Sequence, residues 1–174
     1  RLGLPHVAVD VPLVRATAAE LGGAPCNDDA CITVALVNAG EATRTSGTEV
    51  LARYRRGAFT AMRKHLAAHP DQARFVCASA GNHAQGVAYA CRHFGVEGTI
   101  FMPVTTPQQK IDKTRTFGGD AVEIVLTGDY FDQTLAAAQA FCAERQAHFL
   151  SPFDDPDVIE GQASVGVEIL DQLG

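Results

Sequence analysis

Three lysines in 174 residues and a net charge of −6 leave this chain without the basic stripe that a nucleic-acid backbone requires. No apolar run approaches the ~20 residues of a membrane span, and the opening RLGLPHVAVDVPLVRA lacks a continuous signal-peptide core. The first residue is Arg1 rather than Met, so the natural start is expected upstream. A disulfide framework is also missing. The five cysteines are odd in number and scattered in spacing, which fits a reducing, cytoplasmic setting. Cys77 lies in an apolar strand-like run and Cys91 on an apolar helical face, so both read as small core residues. Cys26 and Cys31 flank NDDA, but no second ligand pair follows at zinc-site spacing. Tandem repeats and low-complexity stretches are absent.

What remains is a globular composition, 47% hydrophobic and 20% charged, long enough to bury a real core. From residue 57 the pattern is regular. Phe59, Met62 and Leu66 recur at helical spacing, RFVCA (74–78) reads as a short buried strand, and Ala84, Val87, Ala88 and Cys91 begin a second helix. GTIFM (98–102) and AVEIVL (121–126) read as strands. TPQQKIDKTRTFG (106–118) reads as a helix, with Pro107 in its first turn and Gly118 as its stop. A further helix spans 130–146, with Phe131, Leu135, Ala138 and Cys142 on one face. Residues 148–153 are extended, and a last helix covers 157–173. Strands alternating with helices imply an α/β fold of open parallel sheets wrapped by helices. Residues 27–53 show no clear period after the strand-like ACITVALV.

The stretch SAGNHAQG (79–86) joins the carboxyl end of a strand to the start of a helix. Ligands of open α/β sheets bind at that edge. The unbonded N–H groups of a helix's first turn suit a carboxylate or phosphate there. Ser79 and Asn82 add side-chain donors, while Gly81 and Gly86 let the backbone approach a ligand. The same residue types also serve simply as helix caps and turns.

ASAGNHAQGVAYACRHFGVEGTIFMPVTTPQQKIDKTRTFGGDAVEIVLTGDYFDQTLAAA, followed by FLSPFDDPDVIEGQ, resembles the threonine dehydratases (threonine ammonia-lyases). These are fold-type-II enzymes of the tryptophan synthase β-like group that use pyridoxal 5′-phosphate (PLP). The resemblance covers about residues 56–173 and keeps the family's motifs in order and spacing. It implies that 1–174 is the N-terminal part of a catalytic domain. Residues 57–155 would form most of the small subdomain, and 1–56 and 156–174 would be parts of the large one. It implies dehydration and deamination of L-threonine, and of L-serine, to 2-oxobutanoate or pyruvate plus ammonia, serving isoleucine synthesis or threonine breakdown. The PLP ring withdraws electrons and acidifies the substrate's α-hydrogen. Ser79, Ala80, Gly81, Asn82 and His83 would grip the substrate carboxylate, and Asn82 would reach the cofactor's ring oxygen. Ala80 stands where related racemases carry a serine acid/base, which favours dehydration over racemisation. A homo-oligomer is implied for the intact enzyme.

One departure matters. The family sets its Schiff-base lysine before a sequence like RGA, whereas this chain reads Arg53-Tyr54-Arg55-Arg56-Gly57-Ala58, with Arg55 at or near that place. Arginine stays protonated and offers no usable Schiff-base amine. The catalytic lysine is therefore absent from its place. Of the three lysines present, Lys64 reads as a solvated helix face, and Lys110 and Lys113 match family positions other than the PLP lysine. Two expectations follow: a fragment or locally mis-framed record of a real dehydratase, or a non-catalytic remnant that binds an amino acid carboxylate or PLP at most. A large subdomain cut short would leave apolar surface uncovered and the isolated chain poorly soluble.

Other constellations are weaker. His65 and His69 have zinc-like i, i+4 spacing, but Leu66 replaces a metalloprotease glutamate, and no metal site is expected. Ser79 lacks a G-x-S-x-G elbow. FGGDAV precedes a strand rather than following one, so it is no dinucleotide fingerprint. Asp154, Asp155 and Asp157 read as a turn and helix cap around Pro156.

Overall fold

A computed structural model describes residues 56–173. The elements run α1 (Arg56–Ala68), β1 (Arg74–Ala78), α2 (Asn82–Phe94), β2 (Glu97–Met102) and α3 (Gln108–Gly118). A 3-10 turn (Gly119–Ala121) then leads to β3 (Val122–Leu126), α4 (Phe131–Arg145), β4 (His148–Phe149) and α5 (Pro156–Leu173). The four strands form one parallel sheet in the order β3-β2-β1-β4. The α/β expectation holds, with boundaries within about two residues of those expected except at the last strand, which stops at Phe149 rather than 153.

Alternation along the strands sorts the core onto two faces. Phe75, Cys77, Ile100 and Met102 face one side with Phe59 and Met62 of α1, Val87, Ala88 and Cys91 of α2, and Ile111 of α3. Val76, Ala78 and Phe101 face the other side, where α4 lays down Ala138 and Cys142 with Phe131 and Leu135 packed alongside. Cys77 and Cys91 are fully buried core residues. Burial pushes the Cys91 thiol up to about 12 and that of Cys77 higher still. Gly98 makes room for this packing: a Cβ there would stand 2.5 Å from the Cys91 sulfur.

The FGGDAV segment is a helix stop. Gly118, the expected stop, is the last residue of α3, and the cap falls one place later at Gly119, which takes the left-handed φ of +55° that a side chain disfavours.

Helix α5 returns across α1 at very close range. A Cβ on Gly57 would lie 2.9 Å from both Cγ1 and the carbonyl oxygen of Val158, and one on Gly161 would lie 2.8 Å from Gly57 Cα. Two further contacts tie these helices. Buried Arg56 donates from Nη1 to Ser164 Oγ at 2.8 Å. Lys64 Nζ reaches Asp157 Oδ1 at 2.6 Å and Glu160 Oε2 at 3.0 Å. Lys64 is thus an interhelical ion pair, not the solvated face its neighbours in sequence suggested. Asp155 caps α5, accepting from the N–H groups of Asp157 (2.9 Å) and Val158 (3.2 Å), with Pro156 at the first helical position.

Candidate functional site at the carboxyl edge of the sheet

Strands β1, β2 and β3 step outward in one direction, with α2 and α3 on one face. The chain then crosses by α4 on the other face to place β4 beside β1. The β1/β4 boundary is therefore the switch point of the sheet, the place at the strands' carboxyl ends where open α/β folds bind ligands. The Ser79–Gly81 loop and the first turn of α2 form one wall, and residues 150–155 form the other.

The loop is pinned at entry by Ser79 N–H donating to the Phe101 carbonyl at 3.0 Å, and at exit by Gln85 N–H donating to the Gly81 carbonyl at 3.3 Å. Between these points Ser79 Oγ accepts the Gly81 N–H at 3.3 Å, which leaves the hydroxyl proton to donate elsewhere. The N–H groups of Ala80, Asn82, His83 and Ala84 make no hydrogen bond among the described residues. The helix begins at Asn82 without a side-chain cap. The simple capping reading of Ser79 and Asn82 is thus not what the structure uses, and the first-turn donors stay open. Ser79, Ala80, Gly81 and His83 are half-buried, whereas Asn82 is exposed.

His83 Nε2 lies 3.2 Å from the Leu150 carbonyl oxygen. A carbonyl only accepts, so the ring proton sits on Nε2. Burial lowers the pKa of His83, against the opposing pull of the Leu150 bond and Asp155. Leu150 was not visible as a site residue in sequence, because it contributes a backbone carbonyl brought there by the β4 crossover. The short β4 ends where Leu150 leaves the ladder, its own N–H still donating to Val76 at 2.8 Å.

Apolar side chains rim this edge. Val104 and Leu126 at the ends of β2 and β3, Tyr130 before α4, and Phe153 after β4 are all exposed, with Phe153 set edge-on against Phe131. At the opposite edge an open hollow of about 970 Å³ lies among Asp71, Arg74, Glu97, Arg145 and His148. Its arginines are already paired, Arg74 with Glu97 at 2.9 Å and Arg145 with Glu144 at 3.7 Å.

His65 and His69 sit with ring centroids 5.0 Å apart, and His148 of β4 stacks on His65 at 3.8 Å. His65 and His148 pack edge-on against Phe75, and His69, one residue past α1, leans on His65. Among the described residues no group of His, Cys, Asp and Glu is arranged to hold a metal ion. Likewise none of their helices is long and apolar enough to cross a membrane.

The open donors and the exposed Asn82 amide fit a carboxylate-bearing ligand. The lysines do not fit covalent attachment of PLP. Two carboxylates of α5 hold Lys64 Nζ, and the bond to Asp157 above all raises its pKa, so the amine stays protonated. Lys110 and Lys113 are exposed on α3. Arg55 and the 27–53 stretch, like Cys26 and Cys31, lie outside the described residues.

The family model for pyridoxal-phosphate dependent enzymes matches residues 51–174. Over 118 residues the chain is 48% identical to the biosynthetic L-threonine dehydratase IlvA of Bacillus subtilis, covering 68% of this chain and 28% of that protein. The IlvA of Lactococcus lactis is 49% identical over 117 residues, again 28% of its length. Among solved structures, the processed form of threonine deaminase isoform 2 from Solanum lycopersicum superposes with a TM-score of 0.61 at 42% identity, over 69% of this chain and 32% of that one. The chain thus spans under a third of the length of these relatives. With the sheet order, the loop at its switch point and a family match over most of its length agreeing, the chain belongs to the pyridoxal-phosphate dependent enzyme family, fold type II.

Proposed function

We propose that this chain is part of the catalytic domain of a cytoplasmic threonine dehydratase, and that Ser79–His83 receives the α-carboxylate of L-threonine or L-serine. The full-length protein would deaminate these to 2-oxobutanoate or pyruvate and ammonia, with PLP as cofactor, in isoleucine synthesis or threonine breakdown. The observation that carries the reading is the set of open N–H groups on Ala80, Asn82, His83 and Ala84, at the switch point of a sheet whose sequence matches named threonine dehydratases. Partly positive first-turn donors favour an anion. The Ser79 hydroxyl, its oxygen engaged by Gly81, has a proton to give the same carboxylate. Asn82, exposed at the mouth, would meet the cofactor ring oxygen. Ala80 offers no ionisable group on this wall, which suits dehydration rather than racemisation. Residues 57–155 would be most of the small subdomain, with the large one completed beyond the described residues, and the exposed Tyr130 and Phe153 favour such a covering body. Assembly into a homo-oligomer is part of the proposal.

A second reading is favoured by one observation, the lysine inventory. As written, the chain has no amine suited to a Schiff base, and so binds an amino acid carboxylate or PLP without turning it over. Resequencing the gene from the Cys26 codon to beyond Gly174 separates the two, followed by assay of the full product for 2-oxobutanoate. A lysine before RGA and threonine-dependent 2-oxobutanoate support the dehydratase. Confirmed Arg55 with no product supports the remnant. Turnover of a different amino acid alone refutes both.

A further inference from the structure

We propose that His83 is a positioning residue: its ring, bonded through Nε2–H to the Leu150 carbonyl, holds the Ser79–Ala84 loop in its ligand-ready shape across the β1/β4 boundary. The proposal rests on the substrate-loop reading. That reading gives His83 a place through its backbone N–H, and the structure assigns its side chain a separate task.

Residues 82–84 already belong to α2, but ahead of Gln85 the N–H groups of Ala80, Asn82, His83 and Ala84 have no backbone partner. Such a segment is held in one shape only if something offsets its conformational entropy. The Ser79–Gly81 contact is internal to the loop. The His83 ring supplies the only side-chain hydrogen bond, among the described residues, that joins this loop to the facing segment 150–155. Its anchor is firm. Leu150 is fully buried, and its N–H is already bonded to Val76 in the middle of β1 at 2.8 Å. The backbone of one residue thus donates to β1 through its N–H and accepts from the first turn of α2 at its carbonyl. The same segment continues to Asp155, which caps α5. The facing wall is therefore fixed at both ends, and the His83 bond transfers that rigidity to the loop.

The test uses the 174-residue chain and the variants His83→Ala and His83→Gln. The Gln amide keeps an N–H donor at similar reach. Nitrogen NMR of the wild-type ring should show the Nε2–H tautomer. In H83A, amide exchange at Gly81 and Gln85, the two hydrogen-bonded amides of the loop, should rise roughly three- to tenfold, the span expected from one net hydrogen bond. The amides of β1 and β2 should not change, and H83Q should restore slow exchange. The Nδ1–H tautomer, an H83A loop exchanging like wild type, or an equal rise throughout the sheet each overturns the proposal. L-threonine titrated into wild type and H83A separates this from the underlying reading. No amide shifts in the wild type refute the substrate-loop reading while the ring and exchange results still decide the positioning role. Equal affinity in both proteins overturns the positioning role alone. Threefold to tenfold weaker binding to H83A supports it.

Discussion

Replacing Gly161 with Ala puts one methyl group into a helix, a change that stabilises an exposed site by about 0.8–1.0 kcal/mol. Here the sign should reverse. The new Cβ would stand 2.8 Å from both Gly57 Cα and the Arg56 carbonyl carbon, and nearer still to the Arg56 carbonyl oxygen. All three atoms are backbone, so no rotamer change relieves the contact. α5 must lift from α1, and overpacking of this kind costs about 1–3 kcal/mol. Lifting also loosens the Val158 packing and the Arg56–Ser164 bond, which brings the net loss to about 1–2 kcal/mol. Gly166 is the matched control: a Cβ there meets nothing within 4 Å, so G166A should gain up to ~1 kcal/mol. With a urea slope of ~2 kcal/mol per molar, the two midpoints should diverge by about 1 M, G161A below wild type and G166A at or above it. A G161A midpoint at or above that of G166A would refute the seating of α5 on α1 through these two glycines.

Lys64→Met should destabilise by about 1–2 kcal/mol, read by urea unfolding, because Lys64 is part-exposed but Glu160 is left buried without its partner. Stability should fall as pH drops below 6.5. Burial lowers His65, His148 and His83, so the unfolded chain binds more protons in that window, and the loss should flatten above it in a melting-temperature series. Asp155 at the cap of α5 and Asp157 within it oppose part of the His148 shift, and His65 and His83 remain lowered, so His148→Phe should shrink the acid loss without removing it. PLP with borohydride should leave Lys64 unlabelled in the folded chain by mass spectrometry, since its ammonium is held by two carboxylates. Ser79→Ala should weaken L-threonine binding roughly tenfold or more, the worth of a hydrogen bond to a charged group.

The sheet was legible because short apolar runs give way to periodicity of 3.6 at each strand end, and because RFVCA and VEIVL are bounded by turn residues. The loop was legible too, since an open first turn after a strand needs small and polar residues. The Asp155 cap was readable for the same local reason. What could not be read were pairings across the fold. Lys64 looks solvated in its own helix, and its carboxylates lie more than 90 residues away. His65 and His69 suggested only each other, whereas the stacking partner His148 comes from the last strand. The Leu150 carbonyl leaves no mark in sequence, because any residue could supply it. Extended structure was expected over 148–153, but only His148–Phe149 pair with β1. The chain turns out after Leu150, through Pro152 and into the Ser151–Asp154 hydrogen bond.

The central claim is that the Ser79–Ala84 wall recognises an amino acid by its carboxylate. Amide NMR of the 174-residue chain, titrated in parallel with L-threonine and with L-threoninamide, tests it most directly, because the amide replaces the carboxylate with a neutral group of similar size. Saturable shifts at Ala80, Asn82, His83 and Ala84 with L-threonine, and none with the amide at equal concentration, are the predicted result. Equal shifts with both ligands, or none with either, would contradict it.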